Sequence, residues 1–515
     1  MPQTAGGSSG RGLRTRLLAA CRRRLEIDLR AVATVRIALA SLLLLNLAAR
    51  ARHFTAFHTD RGMLPAAALT EPAAPVRALF LTLGEPWLQV LLFPVAAVVA
   101  LAMLVGFRSR TSTALSTGLL LLLHARNPLV LNSGDVLLSF LLFWLVFLPI
   151  GERWAVDARR IQRDRTTVAS IGTVGALVQV LLVYLVNASH KVDSELWLSG
   201  EAVPSIFQAD QFTILIGDLL AEVPAVLTGF SYLWMVLLLG SPLLILATGY
   251  VRAAVVTLLA GMHAGMILTM PIGLFPAISI AGLLLFYPPV VWDAAEDLLT
   301  RSALAARVRE VVGRITARVP TPGGLLALPS DPRIGRLRSV AGTAVFTVVP
   351  AVALVLVLLS AMGTTGLADP PDPAETAVST IGMEQDWRMF APDPTRTTRW
   401  YAAPANRTDG RRVDALLGGP PSFARPAEAA DIYPSFRWRK AIGSVHGAED
   451  DAYRDHFADF LCERYNRTHE TDLESVSLYY GYERVDYRTG EVVDSGGYTL
   501  IEYDCGSPVV RGENS

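Results

Sequence analysis

Long apolar stretches recur along this 515-residue chain, and they constrain its fold more than any other feature. A helix that crosses the hydrocarbon core of a bilayer needs about 20 predominantly apolar residues. With 52% hydrophobic residues and a mean hydropathy of +0.39, the chain is too apolar for an ordinary soluble protein. We therefore predict an all-α polytopic membrane bundle of about nine transmembrane helices. The predicted spans are 33–49, 86–106, 111–124, 135–150, 168–188, 229–248, 252–270, 272–291 and 341–362.

Basic residues between these spans predict the orientation of the chain. Arginines cluster at 11–30, 108–110, 153–165 and 301–338, and nine single crossings place all four clusters on the same side. Lysine and arginine concentrate in cytoplasmic loops, so this side is predicted to be the cytoplasm. The predicted location is therefore the inner (plasma) membrane, with a cytoplasmic N-terminus and an extracytoplasmic C-terminal domain.

The distribution of charge divides the chain into a basic membrane part and an acidic soluble part. Residues 1–362 contain 30 Lys and Arg against 20 Asp and Glu, whereas residues 363–515 contain 16 against 26. We therefore predict a small extracytoplasmic α+β domain at the C-terminus. The predicted segments are a partly disordered basic arm at 1–31, a transmembrane domain at 32–300, a cytosolic linker at 301–340, the last transmembrane helix at 341–362 and the α+β domain at 363–515.

The C-terminal part has the patterns of both a hairpin and a helix. Alternating apolar and polar residues at 475–487, followed by a turn at 488–490, predict a β-hairpin. Residues 453–465 predict an amphipathic helix. Outside the cytoplasm, Cys462 and Cys505 are expected to form a disulfide, and two unpaired buried cysteines are the alternative. The spacing of cysteines and histidines does not indicate a metal site.

The end of the fifth span carries the strongest candidate for chemistry. Tyr184, Asn187 and Lys191 are three and four residues apart, so they share one face of a helix, and His190 precedes the lysine. The chain has only two lysines, Lys191 and Lys440, and many arginines, a bias that suggests a GC-rich bacterial genome. Arginine keeps its proton at accessible pH, whereas a desolvated lysine can act as a base. The alternative is a lysine that extends from a helix end to the membrane interface.

Five further polar residues are candidates for the same site. His263 lies within a span, where an ionisable residue is often functional; a neutral core histidine is the alternative. Asn132 and Asp135 precede a span and are candidates for a polar lip opposite the lysine; an N-cap is the alternative. Trp197 and Glu201 lie on the predicted outer loop that follows the lysine, where a tryptophan is more often an interface anchor.

Other function classes leave no signature in the sequence. It contains no glycine-rich phosphate loop, metal triad, nucleophile elbow or nucleic-acid motif. Its basic stretches predict membrane anchors, so the expected partner is membrane lipid and not nucleic acid. It also lacks an inverted internal repeat, which argues against a small-molecule transporter.

Several stretches recur together in the order and spacing of a known family. They are 57–65, 147–157, 184–192, 197–202, His263, 272–276, 292–293, 385–392, 437–440 and 461–466. Together they resemble the vitamin K-dependent γ-carboxylase family and its bacterial relatives, the horizontally transferred transmembrane (HTTM) domain proteins. The resemblance covers nearly the whole chain from Arg30.

The resemblance implies a chemistry for this chain. The animal carboxylases use reduced vitamin K, oxygen and carbon dioxide to carboxylate glutamates in secreted proteins, with a lysine as the base. Lys191 aligns with that lysine, which implies a reduced quinone such as vitamin K as cofactor and a secreted peptide or protein as substrate. The family's Asn-His pair aligns near Ser133 and Gly134, so this chain lacks that histidine. The alternative function is a non-catalytic membrane factor for the maturation or export of a secreted peptide.

Overall fold

The computed structural model describes residues 8–65, 68, 86–159, 161, 163–301, 332–427, 429, 432–449 and 451–506. The predicted disorder at the N-terminus and most of the predicted cytosolic linker fall on residues 1–7 and 302–331, which lie outside the described residues. The described chain is mainly helical up to residue 381 and then forms a small α+β domain.

Helices dominate the membrane part because a backbone in lipid must satisfy its own hydrogen bonds. The α-helices are α1 (Ser8–Leu25), α2 (Leu29–Ala51), α3 (Phe54–His58), α4 (Pro86–Val105), α5 (Ser109–Arg126), α6 (Ser133–Val146), α7 (Ile171–Lys191), α8 (Glu195–Leu198), α9 (Ala202–Phe207), α10 (Ile216–Ala221), α11 (Pro224–Leu239), α12 (Leu243–Leu246), α13 (Gly249–Thr269), α14 (Phe275–Leu283), α15 (Pro289–Arg301), α16 (Pro332–Thr364), α17 (Asp372–Ile381), α18 (Phe436–His446) and α19 (Asp451–Asn466). The strands are β1 (Ile27–Asp28), β2 (Thr167–Val168), β3 (Thr397–Ala402), β4 (Pro404–Arg407), β5 (Arg412–Asp414), β6 (Leu473–Val485) and β7 (Val492–Asp504). Each predicted span overlaps a helix.

The structure confirms only part of the predicted set of membrane crossings. Among the described residues, five helices are long and apolar enough to cross a bilayer alone, namely α2, α4, α7, α13 and α16. A sixth candidate is a helix pair, 275–286 and 289–298, that is bent by 107°. Helices α6 and α11 have 14 and 16 residues, about 21 and 24 Å at 1.5 Å per residue, which is less than the hydrocarbon thickness of about 30 Å. Nine crossings are therefore not confirmed. Helix α16 also begins at Pro332, inside the linker predicted at 301–340.

The surface and the interior of the bundle both fit a membrane protein. Val98, Val236 and Val352 are more than half exposed on the outer faces of α4, α11 and α16. Apolar surface of this extent is stable against lipid and not against water. Inside, α6 and α7 approach closely at Gly175, where an added Cβ would lie 2.1 Å from the ring of Trp144. A small residue at this position therefore allows the two helices to pack.

The C-terminal domain is built around β6. This strand pairs antiparallel with β3 and β4 along one edge and with β7 along the other, and β5 extends the sheet beyond β4. The predicted hairpin is confirmed, since β6 and β7 pair from Ser475 opposite Asp504 to Val485 opposite Val492. The predicted amphipathic helix lies within α19. Cys462 of α19 and Cys505, which follows β7, form a disulfide.

The domain shares its hydrophobic core with the bundle. Buried residues of α18, α19 and β6 form one apolar cluster with Phe57 of α3 and with Val130, which precedes α6. The side chains of Trp438 and Phe57 are in ring contact at 5.2 Å. The C-terminal domain therefore packs as part of the same structure and not as a separate appended unit.

Candidate functional site

The structure contains a cavity of about 610 Å³ at the end of the bundle next to the C-terminal domain. This volume is typical of a small-molecule site. Most of its wall is apolar and comes from α9, α11 and α13, with further residues from α7, α14 and α18. The polar side chains in the wall are Asn132, Ser133, Asn187, Lys191, Thr269, Arg439 and Lys440.

The polar residues of the cavity gather where helices end. Lys191 is the last residue of α7, Thr269 is the last residue of α13, and Asn132 is the N-cap of α6. Deeper in the bundle the wall is formed by Trp234 and Gly261, among others. Gly261 lies eight residues before Thr269, which is about 12 Å along the helix axis. The cavity therefore has a polar end and an apolar end.

Lys191 is buried in this wall without a carboxylate partner. Its side chain is 2% exposed, and its Nζ atom lies 3.4 Å from the centre of the Trp197 ring, over the ring face. Within the described part of the chain, no aspartate or glutamate oxygen lies within 4.0 Å of Nζ and no hydrogen bond from Nζ is formed. An unpaired cation in such surroundings is costly. Because no described carboxylate pairs with it, this amine is available to a ligand.

Asn187 and Trp197 hold a segment of the C-terminal part across the cavity. We call residues 385–393 the strap. The Asn187 amide donates to the carbonyl oxygens of Trp387 at 2.8 Å and Met389 at 3.1 Å, and the Trp197 indole donates to the Phe390 carbonyl at 2.9 Å. Met389 and Phe390 then line the cavity. The donor groups of both predicted ligand-binding residues are thus used to position the strap, and Trp197, 2% exposed, is not an interface anchor.

The cavity opens sideways between α11 and α13. Phe230 lines it and is 38% exposed, and Gly261 and Gly265 line it and are also exposed. A Cβ added at either glycine would meet no atom within 4 Å. Since the outer faces of these two helices are apolar, the opening faces the lipid-exposed surface of the bundle.

Helix α18 of the C-terminal domain adds two cations that the sequence analysis missed. The Arg439 guanidinium lies over the rings of Phe212 and Phe436, 4.8 and 5.1 Å from their centres, and donates to the Pro271 carbonyl at 2.8 Å. Burial lowers the pKa of Arg439 to about 10, so it remains charged at neutral pH. Lys440 also lines the cavity and is exposed. The sequence contains one signal for Lys440, because it is one of only two lysines in the chain. Both lysines line this cavity.

The two predicted catalytic histidines do not line the cavity. His263 lies behind its wall, where Nε2 is 3.1 Å from the Tyr184 hydroxyl and the ring contacts Trp234. The structure thus brings the predicted residues Tyr184 and His263 together, but as a buried pair beside the site. His190 is adjacent to Lys191 in sequence and does not belong to the cavity lining. Of the predicted catalytic residues, the cavity receives Lys191 alone.

Asp135 belongs to a separate buried ion-pair network. It is 1% exposed, accepts from Arg50 at 3.0 Å, and accepts from Nη1 and Nη2 of Arg437 at 3.0 Å each. The Asn46 amide also donates to it at 2.8 Å. Asn132 is the N-cap of α6 and forms a capping box with Asp135. Asp135 therefore does not form the predicted lip of the Lys191 cavity, and lines a neighbouring cavity of about 190 Å³ instead.

Glu201 lies outside the cavity and pairs with Arg488 in the turn between β6 and β7. It thus links the loop after α8 to the C-terminal hairpin. The described residues contain no group of three His, Cys, Asp or Glu side chains that could hold a metal ion.

A sequence model of one protein family, described as the HTTM domain, matches residues 26–292, just over half of the chain. The match contains α2 to α14, with Lys191 and most of the cavity wall, and ends before the strap and α18. The chain matches no curated protein and no solved structure.

Proposed function

The chain belongs to the HTTM domain family, and from that premise we propose that this membrane protein modifies a secreted peptide or protein, with Lys191 as the base. The base acts on a bilayer-soluble cofactor, for which the family resemblance implies a reduced quinone. The location proposed for the site is the extracytoplasmic end of the bundle, where a translocated peptide is accessible.

One observation carries the proposal. Lys191 is the buried amine of an apolar cavity that opens toward lipid, and no described carboxylate pairs with it. A base must lie within reach of the proton that it removes, and this cavity brings the Lys191 Nζ atom to a molecule that enters from the bilayer. Arginine at this position would stay protonated and could not accept that proton.

The residues of the cavity fit a reduced quinone. The rings and methionines of the wall suit an apolar tail, and the polar residues at the helix ends suit its head group. Such a cofactor supplies reducing equivalents when bound. The described lining contains no histidine, and a side chain at Gly134 would meet the Phe275 backbone at 2.9 Å. The proposal therefore assigns proton transfer to Lys191 Nζ and not to a counterpart of the family histidine.

The test compares peptides secreted by cells that carry wild-type protein, Lys191→Arg or Lys191→Met, by mass spectrometry. Both variants should abolish a mass change that the wild type produces. The control is Arg411→Lys, which exchanges the same two side-chain types on an exposed turn of the C-terminal domain and should leave the mass change intact. If peptides secreted by the Lys191→Arg cells carry the same mass change as those of the wild type, Lys191 is excluded as the base.

A second function, a non-catalytic factor that binds a secreted peptide, is favoured by the outer edge of β7. This 13-residue strand pairs only with β6 within the described sheet, and most of it is exposed. An extended peptide can add to such an edge through its main chain. This function predicts that Lys191→Met retains peptide maturation. Thr499→Pro, which removes a backbone N–H from β7, should reduce it.

A further inference from the structure

The ionisable side chains that line the cavity are all basic. They are Lys191, Arg439 and Lys440, and no described aspartate or glutamate belongs to the lining. This lining differs from the chain as a whole, which has 46 basic and 46 acidic residues. Because the Arg439 guanidinium keeps its charge and a cation in an apolar wall needs a counter-charge, the lining favours an anionic ligand.

The walls add a requirement for a long apolar tail. From the polar residues at the helix ends, the cavity extends about 12 Å along α13 past Met266 and Met262. It opens there toward lipid beside Gly261 and Phe230. Methionines line adaptable apolar surfaces that accept flexible chains. The ligand that matches both ends is an amphiphile that enters from the bilayer.

Arg439 has the geometry of a head-group contact. Its planar guanidinium is held over the rings of Phe212 and Phe436, and only the Pro271 carbonyl accepts from it among the described residues. Arginine has five N–H donors, so several remain for a ligand. A planar fork of donors matches a planar oxyanion, such as a carboxylate, better than a single hydroxyl.

We propose that Arg439, Phe436 and Phe212 form a head-group subsite, supplied in part by the C-terminal domain, for a long-chain amphiphile with a planar, singly charged acidic head. Its tail lies along Met262 and Met266 toward the lateral opening. The proposal rests on the proposed function in that it places the ligand in the Lys191 cavity. It adds a second class of ligand for this cavity besides the quinone, and a positioning residue outside the matched family region.

The test measures binding to the purified full-length protein in phosphatidylcholine nanodiscs, with radiolabelled palmitate, hexadecanol and hexadecyl phosphate as probes. These probes share a 16-carbon chain and differ in the head group. We expect palmitate to bind at least tenfold more tightly than hexadecanol, as charge-assisted hydrogen bonds imply. Arg439→Gln should reduce this preference to less than about threefold. Arg464→Gln is the matched control, because Arg464 also lies over two rings of the C-terminal domain but does not line the cavity.

Three outcomes would overturn the proposal. They are equal binding of palmitate and hexadecanol to the wild type, an unchanged preference in Arg439→Gln, and tighter binding of hexadecyl phosphate than of palmitate, which would indicate a phospholipid head-group site. Because the assay needs no turnover, it separates the two proposals. A palmitate preference in a protein whose Lys191→Arg variant secretes normal peptides would remove the function of Lys191 as a base and keep the subsite.

Discussion

Two charged sites lie at the same end of the bundle, and helix α18 contributes one arginine to each. Arg437 reaches Asp135 and completes a buried ion-pair network, whereas Arg439, two residues further on, reaches a cavity without a described carboxylate. In the first site one carboxylate is shared by two arginines. In the second, neither Lys191 nor Arg439 has a carboxylate partner among the described residues. We infer that the paired site determines how the C-terminal domain attaches to the bundle and that the unpaired site is where a ligand binds.

The largest effect should come from breaking the paired site. Asp135→Asn leaves Arg50 and Arg437 buried without a counter-charge, which typically costs about 3–5 kcal/mol. We expect a much lower midpoint of thermal unfolding for the purified protein in detergent. The matched variant is Lys191→Met, which removes an amine that has no carboxylate partner among the described residues and should change the free energy of unfolding by less than about 1 kcal/mol. Equal losses in the two variants would contradict the distinction between the sites.

An intermediate effect should come from the strap that connects the two regions. Asn187→Leu removes both amide donors and leaves the carbonyls of Trp387 and Met389 without their partner. Buried unsatisfied groups cost about 1–3 kcal/mol each, and the bond to Met389 is only part-buried. We therefore expect a loss near the lower bound for two carbonyls, about 2 kcal/mol, and faster hydrogen exchange at 385–393. Asn406→Ala, which removes an exposed bond to Ser475, should change neither quantity. Unchanged exchange in Asn187→Leu would show that the strap is held by other contacts.

The smallest effect concerns a third way of burying an ionisable group, which is to keep it neutral. Burial, with Arg399 and Arg454 nearby, lowers the pKa of His446, which bonds to Tyr401 and Tyr498. The unfolded chain then binds the proton more readily, so the contribution of His446 to stability is complete above about pH 6.5 and is lost as the pH falls below it.

Because His446 is partly exposed, we expect a loss of less than about 1 kcal/mol between pH 7 and 5. The measurement is the thermal midpoint as a function of pH, with His446→Gln as the reference. A His446→Gln profile with the same slope as the wild type would assign the pH dependence to other groups.

The positions of helices and strands follow from the sequence more directly than the hydrogen-bond partners of individual side chains. Apolar length places the helices, and the period of two places the hairpin, because both signals are local. The crossing count is not confirmed where local apolarity did not guarantee length, as in the 14-residue α6. Asn187 and Trp197 were correctly placed beside Lys191, but their bonding partners are carbonyls about 200 residues away. No side-chain pattern identifies a distant carbonyl as a partner.

The arginines of α18 could not be assigned from sequence for a related reason. Arg437 and Arg439 alternate with apolar residues on a short helix, a pattern that also fits a solvent-exposed face. Only the fold distinguishes the arginine that meets Asp135 from the arginine that meets a cavity. Lys191 was found because its residue type is rare in this chain and because it ends an apolar run.

The pairing of Asp135 with Arg437 has a consequence for how the protein is made. The two residues are 302 positions apart, so at about 5–20 residues per second the ribosome produces the arginine roughly 15–60 s after the aspartate. During that interval Arg50 is the only arginine bonded to Asp135, and the carboxylate lacks the two donors that Arg437 later supplies. Translation that stops before α18 would release a bundle whose Asp135 lacks these two hydrogen bonds.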